Sequence, residues 1–275
     1  MLGSGPQSAI ALSNFDRDIL TSVSIRSQSA SPVFAWFWRR LFRRTKGDGS
    51  DLPNTESGGR RGKCSAIRQN LKAIVPLPLE PSTEESRVAT EDLEDLFMLT
   101  DDPSPKLWFY TDDLPLGVDQ GELMIQVLQE NESAKEIDVL ETPVVITDIS
   151  AGKSGIFSVD FNDFESLGNI LGAGNRYKWY FSVICERERP SRNPSVSGWI
   201  RYEPYDEKGV SAPLNNRRRI EQYIENRYWH SALTLAAEAQ CQPDPDGTNK
   251  ANWVELVESI GFGEKVAQAD ILSCS

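Results

Sequence analysis

The stretch KWYFSVICERERPSRNPSVSGWIRY, from Lys178 to Tyr202, decides the fold. Its first half alternates in polarity, which places four side chains on one face of a β-strand: Trp179, Phe181, Val183 and Cys185. The charged, proline-containing middle indicates a hairpin loop, and Gly198 lies within a second strand pattern. This stretch therefore predicts two antiparallel strands with a common apolar face.

Period-two patterns of the same kind recur on the N-terminal side of this hairpin. They occur in NLKAIVPLP, PKLWFYTDD, GELMIQVLQE, TPVVITDIS and SGIFSVDF. Glycine, proline, aspartate and asparagine separate them, which is typical of short strands joined by tight turns. Residues 66–205 are therefore predicted to form an antiparallel β-sandwich of the Ig-like kind.

On the C-terminal side, beyond Pro213, apolar residues recur every three or four positions, which indicates helices. Asn215 or Asn216 is a suitable N-cap for the first helix, and Gly261 is a suitable residue to end a later one. Residues 214–272 are predicted to form a small subdomain of three helices with a short fourth, packed on the sandwich. Strands followed by helices place the chain in the α+β class.

Residues 1–65 are rich in serine, glycine and charge and are predicted to be a disordered arm. Within it, residues 33–46 mix aromatic and basic side chains, which favours a peripheral membrane contact, a mostly unstructured leader, or a start site assigned too far upstream. The residues proposed for membrane contact are Trp36, Trp38, Arg39, Arg40, Arg43 and Arg44. Because no apolar run approaches about 18 residues, we expect no membrane-spanning helix.

Charge is unevenly distributed along the chain. Residues 39–63 sum to +5, whereas residues 64–275 sum to −17, which gives the total of −12. Since phosphate neutralisation dominates affinity for nucleic acids, we expect no nucleic-acid binding by the folded body.

Four cysteines at long spacings and one histidine offer few ligands, so no metal or cofactor site is predicted. His230 is interpreted as a structural side chain, because no nucleophile motif accompanies it. The carboxylate pairs Asp101–Asp102 and Asp112–Asp113 are interpreted as solvated loop charge. An alternative hypothesis makes Asp112 and Asp113 the working groups of a hydrolase or transferase.

Most aromatic residues in the strands are predicted to fill the sandwich core. Strict alternation cannot place all of them inside, so Tyr110, Tyr180 and Trp199 are candidates for an exposed binding surface. Cys185 faces the apolar side, where a thiol is shielded and unreactive. It is predicted either to form a disulfide with Cys64, if the compartment is oxidising, or to remain a free buried thiol.

These blocks resemble the cyanobacterial domain-of-unknown-function family 928 over residues 58–262. The likeness is carried by Cys64, Trp108 to Tyr110, Tyr177 to Cys185, Gly198 with Trp199, and Trp229 to Leu233. The resemblance implies a periplasmic, cell-envelope or secreted setting, since many members carry signal peptides, and it implies no assigned activity. The present chain departs from it by lacking a clear signal peptide and by having Ser231 where members usually have aspartate.

The leading functional hypothesis is a non-enzymatic binding or adaptor module of the cell envelope with a protein or glycan partner. The two competing hypotheses are the carboxylate-dependent enzyme and the membrane-surface protein tethered by residues 33–46.

Overall fold

The computed structural model describes residues 71–76, 99–112, 114, 117–129, 135–149, 153–205 and 215–274. Within these ranges the chain forms nine strands: β1 Lys72–Ala73, β2 Leu99–Thr100, β3 Lys106–Thr111, β4 Gly121–Gln129, β5 Lys135–Asp138, β6 Val144–Ile146, β7 Gly155–Asp160, β8 Arg176–Val183 and β9 Ser195–Tyr202. Four α-helices follow: α1 Asn216–Glu225, α2 Trp229–Gln240, α3 Thr248–Ser259 and α4 Glu264–Ala267. The α+β class is confirmed. The arm predicted for residues 1–65 lies outside the described residues.

The strands form two sheets. The smaller has the order β1-β3-β7, and the larger has the order β2-β9-β8-β4-β5, with β6 also paired to β4. The pairs are antiparallel except at one edge, where β2 runs parallel to β9 with Leu99 opposite Arg201. The prediction of a purely antiparallel sandwich was wrong at that edge, because β2 pairs with the distant strand β9, while the next strand along the chain, β3, lies in the smaller sheet.

The first core lies between the two sheets and is built on aromatic rings. Phe109 of the smaller sheet stacks on Phe181 of the larger one, with ring centroids 4.4 Å apart, and meets the edge of Trp179 at 5.7 Å. All three side chains are almost completely buried. Such packing follows from the alternation in β8, which turns Tyr177, Trp179, Phe181 and Val183 to the same side.

A second core lies between the other face of the smaller sheet and the helices. Trp108, next to Phe109 in β3, faces the helices, where its indole N–H donates to the Thr234 hydroxyl at 3.1 Å. Its ring also packs 6.4 Å from that of Trp253. The molecule therefore has three layers, with the smaller sheet in the middle and buried on both faces.

Local sequence explains where the helices begin and end. The side chain of Asn215 caps α1 by accepting a hydrogen bond from the backbone N–H of Arg218 at 2.9 Å, as predicted. Gly261, with φ of 101°, follows the end of α3 in the left-handed conformation that glycine adopts most readily. Both termini match the sequence signals.

The C-terminal tail after α4 returns to the smaller sheet. Ile271 pairs in parallel with Ile156 of β7, and the N–H of Leu272 donates to the Ile156 carbonyl at 2.6 Å. Cys274 then forms a disulfide with Cys241 at the end of α2, with their Cα atoms 5.3 Å apart. The sequence analysis did not predict this bridge, which joins the tail to the helical layer.

Candidate functional site

The outer face of the larger sheet carries a row of functional side chains across four strands. In register, Trp199 of β9 lies beside Lys178 of β8, Lys178 lies beside Gln126 of β4, and Gln126 lies beside Asp138 of β5. The Gln126 amide donates to the Asp138 carboxylate at 2.8 Å. The same alternation that buries the inner face of β8 thus assembles this polar and aromatic row on the opposite face.

Lys178 is the centre of this row. Its ammonium group lies 3.0 Å from the Glu136 carboxylate, 5.1 Å from the ring centroid of Trp199 and 5.5 Å from that of Tyr180. The Tyr180 hydroxyl donates to the other Glu136 oxygen at 3.3 Å. We call Lys178, Glu136, Tyr180 and Trp199 the sheet-face cluster.

Electrostatics keep Lys178 charged. Burial alone would lower the pKa of Lys178, but its hydrogen bond to Glu136 and its contact with Tyr180 outweigh that effect and raise it. The lysine is therefore protonated over the physiological range. The cluster presents a fixed cation, a fixed carboxylate and an aromatic ring in one place.

The three aromatics predicted for surface binding do not share one face. Tyr180 and Trp199 come together in the sheet-face cluster, although Trp199 is only 8% exposed. Tyr110 lies in the smaller sheet on the side that packs against the helices and is 2% exposed, so its ring is not on the outer surface. The residues proposed for membrane contact, Trp36 to Arg44, lie outside the described residues.

A second polar cluster, which sequence reasoning missed, joins the larger sheet to the helices. The Asp101 carboxylate accepts from the Ser231 hydroxyl at 2.5 Å and from the Tyr223 hydroxyl at 2.6 Å. Burial, followed by the bond to Asp101, raises the pKa of Tyr223. The interpretation of Asp101 as solvated loop charge was therefore wrong, because side chains more than 100 positions away in sequence partner it.

His230 lies next to Ser231 in α2 but does not pair with it. The imidazole is buried, and its Nε2 lies 3.3 Å from the backbone oxygen of Trp199. Burial lowers the pKa of His230 to about 4, so the ring is neutral at physiological pH. Since Ser231 is hydrogen-bonded to Asp101, the geometry contains no serine–histidine pair at this position.

Asp112, named in the alternative enzyme hypothesis, is held in an ion pair. Lys265 of α4 contacts one carboxylate oxygen, and the Ser154 hydroxyl donates to the other at 3.2 Å. The hydrogen bond from Lys265 lowers the pKa of Asp112, so this carboxyl stays ionised at neutral pH and has no proton to donate. Asp113, its proposed partner, lies outside the described residues.

The described cysteines are all oxidised. Besides the Cys241–Cys274 bridge, Cys185 is disulfide-bonded and packs against the core between the sheets. Cys64, its predicted partner, lies outside the described residues, so the pairing of these two cysteines stays a prediction. No sequence signal marks the Cys241–Cys274 pair, because it depends on the return of the tail to β7.

Within the described ranges, neither a cluster of metal-binding side chains nor a membrane-spanning helix is present. Among these residues, no group of three His, Cys, Asp or Glu side chains is arranged to hold a metal ion. None of the described helices is long and apolar enough to cross a lipid bilayer.

Comparison with known proteins gives one relationship. A search of curated proteins and of solved structures finds no significant match to the chain. The family model for DUF928, described as a domain of unknown function, matches residues 56–271, which is most of the chain. The three layers and the sheet-face cluster fall within that match, Cys274 of the C-terminal bridge lies just beyond it, and the chain belongs to the DUF928 family.

Proposed function

We propose that this protein is a non-enzymatic binding module of an oxidising, extracytoplasmic compartment such as the cell envelope, and that its partner is a glycan. The sheet-face cluster is the observation that carries the proposal. A sugar ring has an apolar C–H face and a rim of hydroxyl groups. The ring of Tyr180 offers a stacking surface for the apolar face of the sugar. Glu136 can accept hydrogen bonds from the sugar hydroxyls, and Lys178 can donate hydrogen bonds to them.

Rigidity favours binding through this cluster. Glu136 is held by both Lys178 and Tyr180, and the aromatic rings stand on adjacent, hydrogen-bonded strands. Polar groups that are fixed before a ligand arrives lose little side-chain entropy when they bind it. The arrangement is therefore suited to binding a ligand and does not require that the protein catalyse a reaction on it.

The cysteines support the compartment. Disulfides persist in oxidising environments and are rare where glutathione and thioredoxin keep thiols reduced. The Cys241–Cys274 bridge and the oxidised state of Cys185 fit an extracytoplasmic protein. The pairing of Cys185 with Cys64 belongs to the same proposal.

Binding is tested with purified envelope polysaccharide and peptidoglycan of the host in pull-down and calorimetric titration. Tyr180→Leu removes the aromatic face, and Lys178→Met removes the ammonium but keeps the aliphatic stem. Val145→Ala is the matched control, because Val145 is 50% exposed on β6 of the same sheet and lies outside the cluster. We expect both cluster variants to lose about tenfold or more in affinity, since each removes a contact of about 1–2 kcal/mol, and the control to bind normally.

Equal binding by Tyr180→Leu and the unaltered protein would remove the sheet-face cluster from the proposal. Recovery of a protein partner that survives glycan digestion would replace the glycan with a protein ligand. A non-reducing peptide mass map of material from the host tests the compartment, and we expect peptides cross-linked through Cys241 and Cys274 and through Cys64 and Cys185. Free thiols at these positions would contradict it.

A further inference from the structure

The charges on the outer face of the larger sheet nearly cancel. Residues that pair across neighbouring strands point to the same side, so the register shows which charged side chains share the face of the sheet-face cluster. Of the described residues, three positive and four negative ones do so: Arg176, Lys178 and Arg201, with Glu122, Glu136, Asp138 and, just after β9, Glu203. Their net charge is −1, so the face has no surplus of positive charge with which to attract a polyanion.

The ion pairs of this face are formed within the protein. Glu136 lies 3.0 Å from the Lys178 ammonium and accepts from the Tyr180 hydroxyl at 3.3 Å, so each of its two oxygens has a partner. Arg201 lies 2.7 Å from the Glu203 carboxylate. Because an ammonium has three N–H groups and a carboxylate has about four lone-pair sites, Lys178 and Glu136 can bind a ligand while they keep their bond to each other.

A charged sugar would meet a like charge at this position. A ligand carboxylate bound to Lys178 would lie beside Glu136, and two carboxylates a few ångströms apart repel each other. A ligand ammonium bound to Glu136 would lie beside Lys178 and meet the same penalty. Displacing Glu136 would break its bonds to Lys178 and to Tyr180 together. An uncharged hydroxyl or amide group avoids these penalties, because it can accept from Lys178 or donate to Glu136.

We propose that the glycan bound at the sheet-face cluster is uncharged, with hydroxyl or acetamido groups in contact with Lys178 and Glu136 and no carboxylate, sulfate or ammonium group there. This inference rests on the proposed glycan-binding function and narrows its ligand to one chemical class. The rest of the protein also disfavours anions, since the chain carries a net charge of −12. Contacts of an uncharged ligand are not weakened by the screening that salt imposes on ion pairs.

The test uses the envelope polysaccharide of the host, separated by ion exchange into uncharged, acidic and basic fractions. Each fraction is titrated into the full-length protein by calorimetry. We expect the uncharged fraction to bind roughly tenfold more tightly than either charged fraction, the effect typical of one charge-assisted hydrogen bond. Its affinity should change less than about twofold between 0.1 M and 1 M salt, although the screening length falls from about 10 Å to about 3 Å.

One substitution tests the pairing of Lys178 with Glu136 directly. Glu136→Gln removes the carboxylate but keeps an amide oxygen to which Lys178 can donate. The charge of Lys178 is then no longer balanced by Glu136, and we expect the variant to gain roughly tenfold in affinity for the acidic fraction. Glu122→Gln is the matched control, because it removes the same charge from β4 of the same face, opposite Ser182 and not opposite Lys178. We expect this control to bind the acidic fraction as weakly as the unaltered protein does.

Three results would count against the inference. Preference for the acidic or basic fraction that is lost in Tyr180→Leu would overturn it and leave the glycan-binding function in place. An equal gain of affinity for the acidic fraction in Glu136→Gln and Glu122→Gln would also overturn it, because net charge and not the pair with Lys178 would then select the ligand. Binding of no fraction by the folded protein would instead refute the glycan-binding function itself, and this inference with it.

Discussion

The single histidine, His230, makes the free energy of unfolding depend on pH, and substituting this one residue separates its contribution from that of the other titrating groups. Burial lowers the pKa of His230 from its ordinary value of 6.5 to about 4. Between these two values the unfolded chain binds a proton that the folded chain rejects, so stability is full above the unfolded pKa and falls as the solution is acidified. At pH 5 the unfolded imidazole is almost fully protonated and the folded one mostly neutral, which costs about 2 kcal/mol of unfolding free energy.

The substitution His230→Gln replaces the titrating ring with a neutral amide, which retains a nitrogen donor for the backbone oxygen of Trp199. Urea unfolding at pH 8 and at pH 5 gives the free energy of unfolding of each protein. Carboxylates titrate in both proteins, so their contribution cancels in the comparison. We expect the unaltered protein to lose about 2 kcal/mol more than the variant over this interval.

The same residue can be followed directly by NMR, because the chain contains one histidine and therefore one imidazole Cε1–H resonance. In the native protein we expect that resonance to titrate near pH 4, or to show no titration until the protein unfolds in acid. A native imidazole that titrates near 6.5 would refute the reasoning, as would an equal loss of stability in the His230→Gln variant.

Three other predictions concern stability. The double substitution Cys241→Ser with Cys274→Ser removes a disulfide that closes a loop with a sequence separation of 33 residues. Because the unfolded chain then gains conformational entropy, we expect the free energy of unfolding to fall by about 4 kcal/mol, as measured by thermal unfolding beside the oxidised protein. In Gly198→Ala the new Cβ would lie 2.4 Å from the indole of Trp179, so denaturant unfolding should show a loss of about 1–3 kcal/mol, and an unchanged midpoint would contradict this packing. Ser231→Ala removes one donor from the aspartate that follows β2 and should cost about 1–3 kcal/mol by the same assay, with rescue by Ser231→Thr.

The strands were predictable where one face is buried and the other is not. In β8 the alternation of Tyr177, Trp179, Phe181 and Val183 with polar residues fixed which side chains enter the core. The capping of α1 by Asn215 was equally local, since it depends on residues three positions apart. Period and capping are properties of neighbouring residues, and sequence alone contains them.

The middle position of the smaller sheet was not predicted. In β3 the consecutive residues Leu107 to Tyr110 are all buried, because one face meets the larger sheet and the other meets the helices. Such a run does not alternate, and it gives no sign of which layer covers which face. Tyr110 was therefore assigned to an exposed surface when it lies under the helices.

The candidate sites depended on contacts between distant parts of the chain. Tyr180 and Trp199 were identified as candidates, but their contacts with Lys178 and Glu136 were not. The contact of Trp199 with Lys178 depends on the register of β8 against β9, and the contact of Glu136 with Lys178 depends on the pairing of β5 with β4 in the same sheet. The partners of Asp101 lie more than 100 residues away. Such pairs cannot be predicted from the spacing of residues in the sequence.

The return of the C-terminal tail also affects association between molecules. Without it, β7 would be an open edge, with unpaired N–H and C=O groups that could template pairing with another chain. Leu272 and Ser273 occupy those groups through bonds to Ile156 and Ser158, and the bridge at Cys274 keeps the tail in position. Reduction of that bridge would therefore free the tail to leave β7 and expose a strand edge capable of edge-to-edge aggregation, so this disulfide also protects that edge.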